Sequence, residues 1–402
     1  MADTTGTLAA AAVKRPAETT DWGDKATSPT CQIPLLSESL TSGVILDHEE
    51  AIENKAARTD ADVVGVDAQG SFATDLWYDG LEYLFHAALG FECPSVYTGT
   101  YPAGSGGSPA SAGSGVYVHL FEPDNTLERE AWLSGERDAA SGSGTDGTYW
   151  TAADKKVRAV DVMIDKKVPT GGVHNFINCM VRSMTLKAGL DGVTLEWDVV
   201  GYNHDTDTYN RGSWDFPGTR ARATFPQMTV GMDAAGASEP AEIAVQEITM
   251  KLENPMEVQR ASGTSSEYII EPCRNGMRKV TGTITLARYN SDDFPDWMDD
   301  ETDLQLAIDF QHGTAISGSD YPEFRFLMPL VRITKADFPV PGPGIITGSI
   351  EYEAFIPSAT PAWITTHAGG IDIIKAQELY LFIQNTMKWA WSRDRQSGLT
   401  LP

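Results

Sequence analysis

Apolar and polar residues alternate along this chain with a period of two far more often than they recur every three or four positions. That alternation predicts half-buried β-strands, because successive side chains of a strand point to opposite faces. In RKVTGTITLARY the apolar positions are Val280, Ile284 and Leu286; in LQLAIDF they are Leu304, Leu306, Ile308 and Phe310; in TLEWDVV they are Leu195, Trp197 and Val199. Polar residues fill the places between, so each segment predicts a strand with one face on a core and the other toward solvent or a neighbouring subunit. Helical patterning is confined to residues 80–89 (GLEYLFHAAL) and 371–391. The chain is therefore expected to be mainly β, with a few flanking helices.

Two stretches rich in Gly and Ser, residues 98–115 and 134–147, interrupt the first half. Such composition buries too little apolar area to offset its ordering entropy, so these are expected to be long loops that a partner orders.

The pattern repeats. NFINCMVRSMTLKAGLDGVTLEWDVVGY lines up with RFLMPLVRITKADFPVPGPGIITGSIEYEAF, placing Val181 and Arg182 on Val331 and Arg332, and Trp197 and Val199 on Ile350 and Tyr352. Upstream, GSFATDLWYDGLEYLF from Gly70 matches GTITLARYNSDDFPDW from Gly282, and VYVHLF matches LQLAIDF. The first copy is longer by the two Gly/Ser stretches and a charged strand, VRAVDVMIDKKV. This order predicts one β fold used twice, over residues 36–235 and 240–358, with an N-terminal arm at 1–35 and a C-terminal extension at 359–402. The small, polar residues 233–240 are the expected linker. The extension contains IDIIKAQELYLFIQNTMKWAW, which is too apolar to be a free tail and is expected to pack on its own domain or a neighbour.

Charge narrows the function. Among 402 residues, 56 are acidic and 30 basic, a net charge of −26, which argues against a nucleic-acid interface built on phosphate contacts, because those need Lys and Arg clusters. Cys31, Cys93, Cys179 and Cys273 are widely separated, offer no CxxC pair, and read as reduced, buried thiols. The opening MADTTGTLAAAAVKRP lacks the basic start of an export signal, and no run approaches the ~20 apolar residues of a spanning helix. A protein soluble where it is made is expected.

No motif carries catalysis. Gly142, Gly144 and Gly147 satisfy GxGxxG but sit in a Gly/Ser stretch with neither a strand before nor a helix after. Asn203, Asp205 and Asp207 have the spacing of a calcium loop, yet Thr208 and Trp214 stand where Gly and Glu are required, so a solvated turn is expected. The cluster Asp292, Asp293, Asp296, Asp299, Asp300, Glu301 and Asp303 reads as a solvated acidic loop. The seven histidines are dispersed, and His86 and His119 fall among apolar residues as core or boundary positions. No catalytic, cofactor-binding or metal-ligating residue is expected, and no enzyme.

GSFATDLWYDGLEYLFHAALG, NCMVRSMTLKAGLDGVTLEWDVVGY, RKVTGTITLARY, FLMPLVRITKADF and GSIEYEAF, in that order, resemble the tail tube proteins of long, non-contractile bacteriophage tails. The resemblance implies two tandem β-sandwich or barrel-like domains with flanking helices and extended terminal arms. It implies sheets that join laterally into rings, and rings that stack into a conduit in the virion. A tape measure protein and other tail proteins would be partners, and viral DNA would pass through without specific binding. A duplicated subunit implies a threefold ring with pseudo-sixfold symmetry. Glu196, Asp198, Glu351 and Glu353, on the polar faces of the repeated strands, are the candidate lumen residues; the alternative is that they face a neighbouring subunit or outside solvent. Two other readings stay open: a tail terminator or related injection-machine tube, and a secreted carbohydrate-binding or carbohydrate-active β protein. The ten Trp residues permit the latter, and the missing export signal and the repeat oppose it.

Overall fold

The computed structural model describes residues 10–14, 25, 31–48, 61–97, 117–123, 159–166, 172–207, 214, 221–236, 238–260, 268–270, 272–289, 293–316, 318, 320–339, 347–367 and 376–385. Its first strands are β1 (Ala10–Lys14), β2 (Cys31–Ile33), β3 (Ser37–Glu38), β4 (Thr41–His48) and β5 (Ala61–Asp75), then helix α1 (Glu82–Leu89). There follow β6 (Gly90–Tyr97), β7 (Tyr117–Pro123), β8 (Val160–Asp165), β9 (Val173–Gly189), β10 (Gly192–Gly201) and β11 (Asn203–Asp207). The second half brings β12 (Met228–Ala234), β13 (Glu242–Ile243), β14 (Val245–Glu253), β15 (Met256–Glu257), β16 (Cys273–Arg274) and β17 (Lys279–Leu286). After helix α2 (Asp293–Asp299) come β18 (Leu304–Gln311), β19 (Glu323–Asp337) and β20 (Gly348–Ala354), then helix α3 (Ala362–His367) and β21 (Tyr380–Asn385). The mainly β expectation holds, and residues 80–89 supply α1.

The two halves use the same strand order and the same registers. Ala11 lies opposite Ile33 and Val230 opposite Ile243. β1 then pairs with β8, as β12 pairs with β18. Against β9, the partner of β8 jumps from Cys179 at Val160 to Phe176 at Val162; against β19, the partner of β18 jumps from Val331 at Leu304 to Met328 at Leu306. Gly70 faces Val199, and Gly282 faces Tyr352.

These registers revise the sequence alignment in two places. The strand that stands to β9 as LQLAIDF stands to β19 is β8, within the charged segment, whereas VYVHLF forms β7 and pairs with β6 and β21. Val181 and Arg182 occupy the places of Ile333 and Thr334, because the β9–β10 and β19–β20 ladders both slip there by one residue. Of residues 233–240, expected to be a linker, Asp233 and Ala234 belong to β12, whose Val230 and Gly231 pair with β13, and the described parts of residues 1–35 include β1 and β2, which pair within the sheet.

Long strands change layer. The first part of β9 pairs with β8 and β11, and its last part with β10 and β14; the first part of β19 pairs with β18 and β21, and its last part with β20. The result is an inner sheet in the order β3/β4, β5, β10, β9, β14, β17, β20, β19 that runs without a break through both halves. Its covered face belongs to one apolar core. Helix α1 sits in that core: Phe85 meets Trp197 of β10 edge-on at 5.4 Å and packs on Phe121, Phe324 and Phe326 of the outer layer. Trp197 is fully buried, and its indole N–H donates to Thr74 Oγ1 at 3.2 Å.

Three local expectations are corrected. Residues 371–391 contain a strand rather than a helix: Tyr380, Leu381, Phe382 and Ile383 are buried on both faces between β7 and β19, and a short apolar run of that kind has no periodicity to separate helix from strand. Asn203, Asp205 and Asp207 lie on strand β11 instead of a turn, because β9 offers an open ladder beside them. Part of the acidic cluster forms helix α2, anchored by the buried Phe294, which meets Trp297 at 5.4 Å.

Strand β21 is tied to α1 by a buried polar network. The Glu82 carboxylate accepts from the Gly80 N–H at 2.9 Å, and Asn385 donates to Glu82 and to the Tyr78 carbonyl. Burial, opposed in part by nearby His119, pushes the Glu82 carboxyl up to about 7. A carboxyl with a folded pKa above its unfolded value of 4.5 favours folding below that pH and loses the contribution as pH rises to about 7. Measured by urea unfolding, the stability of Glu82→Gln relative to wild type should move in the variant's favour between those pH values and stay level above them.

Gly70, at φ +143, and Gly282 are both closed off by backbone: an added Cβ would stand 2.5 Å from the Ser39 oxygen at the first and 2.1 Å from the Thr249 oxygen at the second. Gly282→Ala is expected to cost about 1–3 kcal/mol in thermal unfolding, whereas Gly313→Ala, where a Cβ meets nothing within 4 Å, should stay within about 0.5 kcal/mol.

Candidate functional site

The inner sheet has one covered face and one open face, and polar side chains fill the open face. Alternation puts its side chains in rows across the strands. One row reads Ala73, Glu196, Thr185, Lys251, Thr281, Glu353, Arg332. The next reads Thr194, Lys187, Thr249, Thr283, Glu351, Lys335. At about 4.8 Å between strands, the first row spans roughly 29 Å.

All four acidic candidates from the sequence lie on this face. Glu196 and Glu353 share a row although one comes from each half, Glu351 lies in the neighbouring row, and Asp198 lies opposite Ser71 and Ser183. Glu196 and Glu351 are exposed, and Asp198 and Glu353 half-buried.

Sequence reading missed how much of this face is hydroxyl and cation. Thr281, Thr283 and Thr285 fill the polar positions of KVTGTITL, the same alternation that marks the buried Val280, Ile284 and Leu286. Several carboxylates have partners: Arg182 donates to Asp198 at 2.8 Å, Lys335 to Glu351 at 3.2 Å, and Lys187 approaches Glu247 at 3.4 Å. Glu196 and Glu353 make no ion pair among the described residues. The face is thus hydroxyl-rich and mildly acidic, and its ion pairs neutralise charge more than they stabilise the fold.

Elsewhere, His174 Nδ1 and His204 Nε2 are 2.9 Å apart, with Phe176 against the His204 ring. Burial and the neighbouring His174 hold His204 below the ordinary histidine range. His119 is fully buried and His86 half-buried, and Cys31 and Cys179 are buried thiols. Among the described residues no group of three or more His, Cys, Asp or Glu side chains is arranged to hold a metal ion. Gly142, Gly144 and Gly147 lie outside the described residues.

A family model described as phage tail tube protein matches residues 6–354, most of the chain. The chain belongs to the phage tail tube family. A tail tube protein of this family is a structural component of the virion that assembles with itself and other tail proteins, and the family is not one of enzymes. No curated protein sequence matches the chain. No helix among the described residues is long and apolar enough to cross a membrane.

Ion pairs of the open face should contribute little. Glu351→Ala, which leaves a Lys335 that is 59% exposed, is expected to change stability by under about 1 kcal/mol in denaturant unfolding. Glu378→Ala, which removes one partner of an Arg278 whose side chain is only 2% exposed, is expected to cost more, about 1–3 kcal/mol.

Proposed function

We propose that three copies of the chain close into a ring, that rings stack into the tail tube, and that the open face of the inner sheet lines a bore through which the genome travels. The observation that carries this reading is the unbroken inner sheet, polar on one face and core-forming on the other, with eight strand positions per chain.

Strand spacing supports this stoichiometry. Three chains supply twenty-four strand positions; at about 4.8 Å per strand and a tilt of about 40°, the closed backbone ring is about 48 Å across. Side chains, about 5 Å deep on each side, leave a bore of about 38 Å. A B-form duplex, about 20 Å across, passes with room for its hydration and counterions. Two chains would leave about 22 Å, which the duplex would fill, and six would enclose far more space than it needs. The matching strand orders and registers of the two halves support a duplicated tube domain, so that a ring of three chains presents six similar units.

A hydroxyl-rich, mildly acidic bore suits transit. The cations of this face are each paired with a carboxylate, so phosphates find little free positive charge to release counterions against, and tight, salt-sensitive binding is not expected. The surplus carboxylates Glu196 and Glu353 favour sliding.

Negative-stain electron microscopy of concentrated protein, with mass photometry, is expected to give hollow tubes built from rings of three. Single rings that never stack would transfer the assignment to a ring-capping tail component, and rings of six chains would overturn the stoichiometry. Tubes of the double variant Glu196→Lys, Glu353→Lys should retain duplex DNA at low salt and release it as salt rises, while wild-type tubes retain none.

A further inference from the structure

The seam between the two halves is a ready-made template for the seam between subunits. Within one chain, β14 adds to the edge of β9 in an antiparallel register that places Lys251 opposite Thr185, Leu252 opposite Met184 and Glu253 opposite Ser183. β14 pairs with β17 as β3 and β4 pair with β5, since Ser39 and Thr249 bring their backbone oxygens to the same point above Gly70 and Gly282. β9 corresponds to the last part of β19, because the ladder slips occur at Arg182 and Thr334. Both ends of the inner sheet are therefore half-seams. Among the described residues no strand pairs with the outer edge of β4, whose Thr41, Ser42, Gly43, Val44, Ile45 and Leu46 are all exposed, and none pairs with the outer edge of β19 over residues 332–337.

We propose that β4 of one chain adds to the last part of β19 of the next copy, in the register that places Thr41 opposite Asp337, Ser42 opposite Ala336 and Gly43 opposite Lys335. This junction rests on the conduit reading and specifies which edges close the ring. The hydrogen-bonding groups are aimed for it. Ser39 donates its N–H inward to the Ser71 oxygen at 2.8 Å, so alternation turns the Ser42 and Val44 N–H groups outward. At the internal seam the corresponding group, Asn254 N–H, donates across to the Arg182 oxygen at 2.7 Å. The contact is head-to-tail, with two different edges meeting, so copies joined this way must close into a ring or run on. In the lone subunit the edge is partly guarded: the Glu38 carboxylate accepts from the Leu40 N–H at 3.0 Å and pairs with Lys166 at 2.8 Å. A charged side chain on an open edge of this kind opposes premature pairing.

The test is a cysteine pair in assembled tubes. With Thr41→Cys and Asp337→Cys on one chain, oxidation should give a ladder of linked subunits on a non-reducing gel that ends at three, since facing residues of an antiparallel ladder lie within disulfide reach. Each single variant, and the out-of-register pair Thr41→Cys with Lys335→Cys, should give none. Ser42→Pro, which removes an outward N–H and no inward one, should unfold within a few degrees of wild type yet lose at least tenfold in assembly. Tubes that form without the in-register link, or that link equally well in the shifted pair, would overturn this junction and leave the tube reading standing. A wild-type chain that forms neither rings nor tubes, even when seeded with purified tails, would bring down the conduit reading and the junction together.

Discussion

The pairing of β9 with β14 is the contact on which the rest of the architecture depends. Without it the protein would be two sheets with four lateral edges; with it there is a single sheet with two. It also fixes the sense of every side chain in the second half relative to the first, because a slip of one residue would turn one half's core face outward. Glu196 and Glu353 share a row because that register is held, and the core beneath is shared for the same reason.

A polar face this broad is affordable only because the opposite face is so fully apolar. Trp197, Ile248, Met250, Ile284 and Ile350 are all fully buried, and α1 lays Phe85 across the middle of the core. The open face can then carry threonines, ion pairs and unpaired carboxylates with little consequence for folding. Among the buried polar groups, Glu82 and Asn385 lash the last strand to the first helix, so β21 joins the fold by hydrogen bonds as well as by apolar burial.

Membership of the phage tail tube family makes an edge-on assembly intelligible in physical terms. Open strand edges are a hazard in a monomer and an asset in a polymer. Here the exposed Val44, Ile45 and Leu46 lie along one such edge, where a second copy would cover them.

Much of this was legible in the sequence. Period-two alternation located β10, β17, β18 and β20, amphipathic residues 80–89 located α1, and the polar positions between Leu195 and Val199 and between Ile350 and Ala354 identified candidate residues on the open face. The alternation is local, set by a backbone that turns each side chain opposite to the last, so a single strand reveals which of its residues share a face. It does not reveal which strand lies beside it. That is why β7 was matched to β18 in place of β8, why residues 233–240 read as a linker although Asp233 and Ala234 belong to β12, and why the cations Lys187, Lys251 and Lys335 went unnoticed beside the carboxylates. The sequence by itself determined the strands and their faces. Only the tertiary structure decided their neighbours and registers, because pairing energy comes from hydrogen bonds between segments far apart in the chain, and the choice among many similar partners is made by the core they bury together.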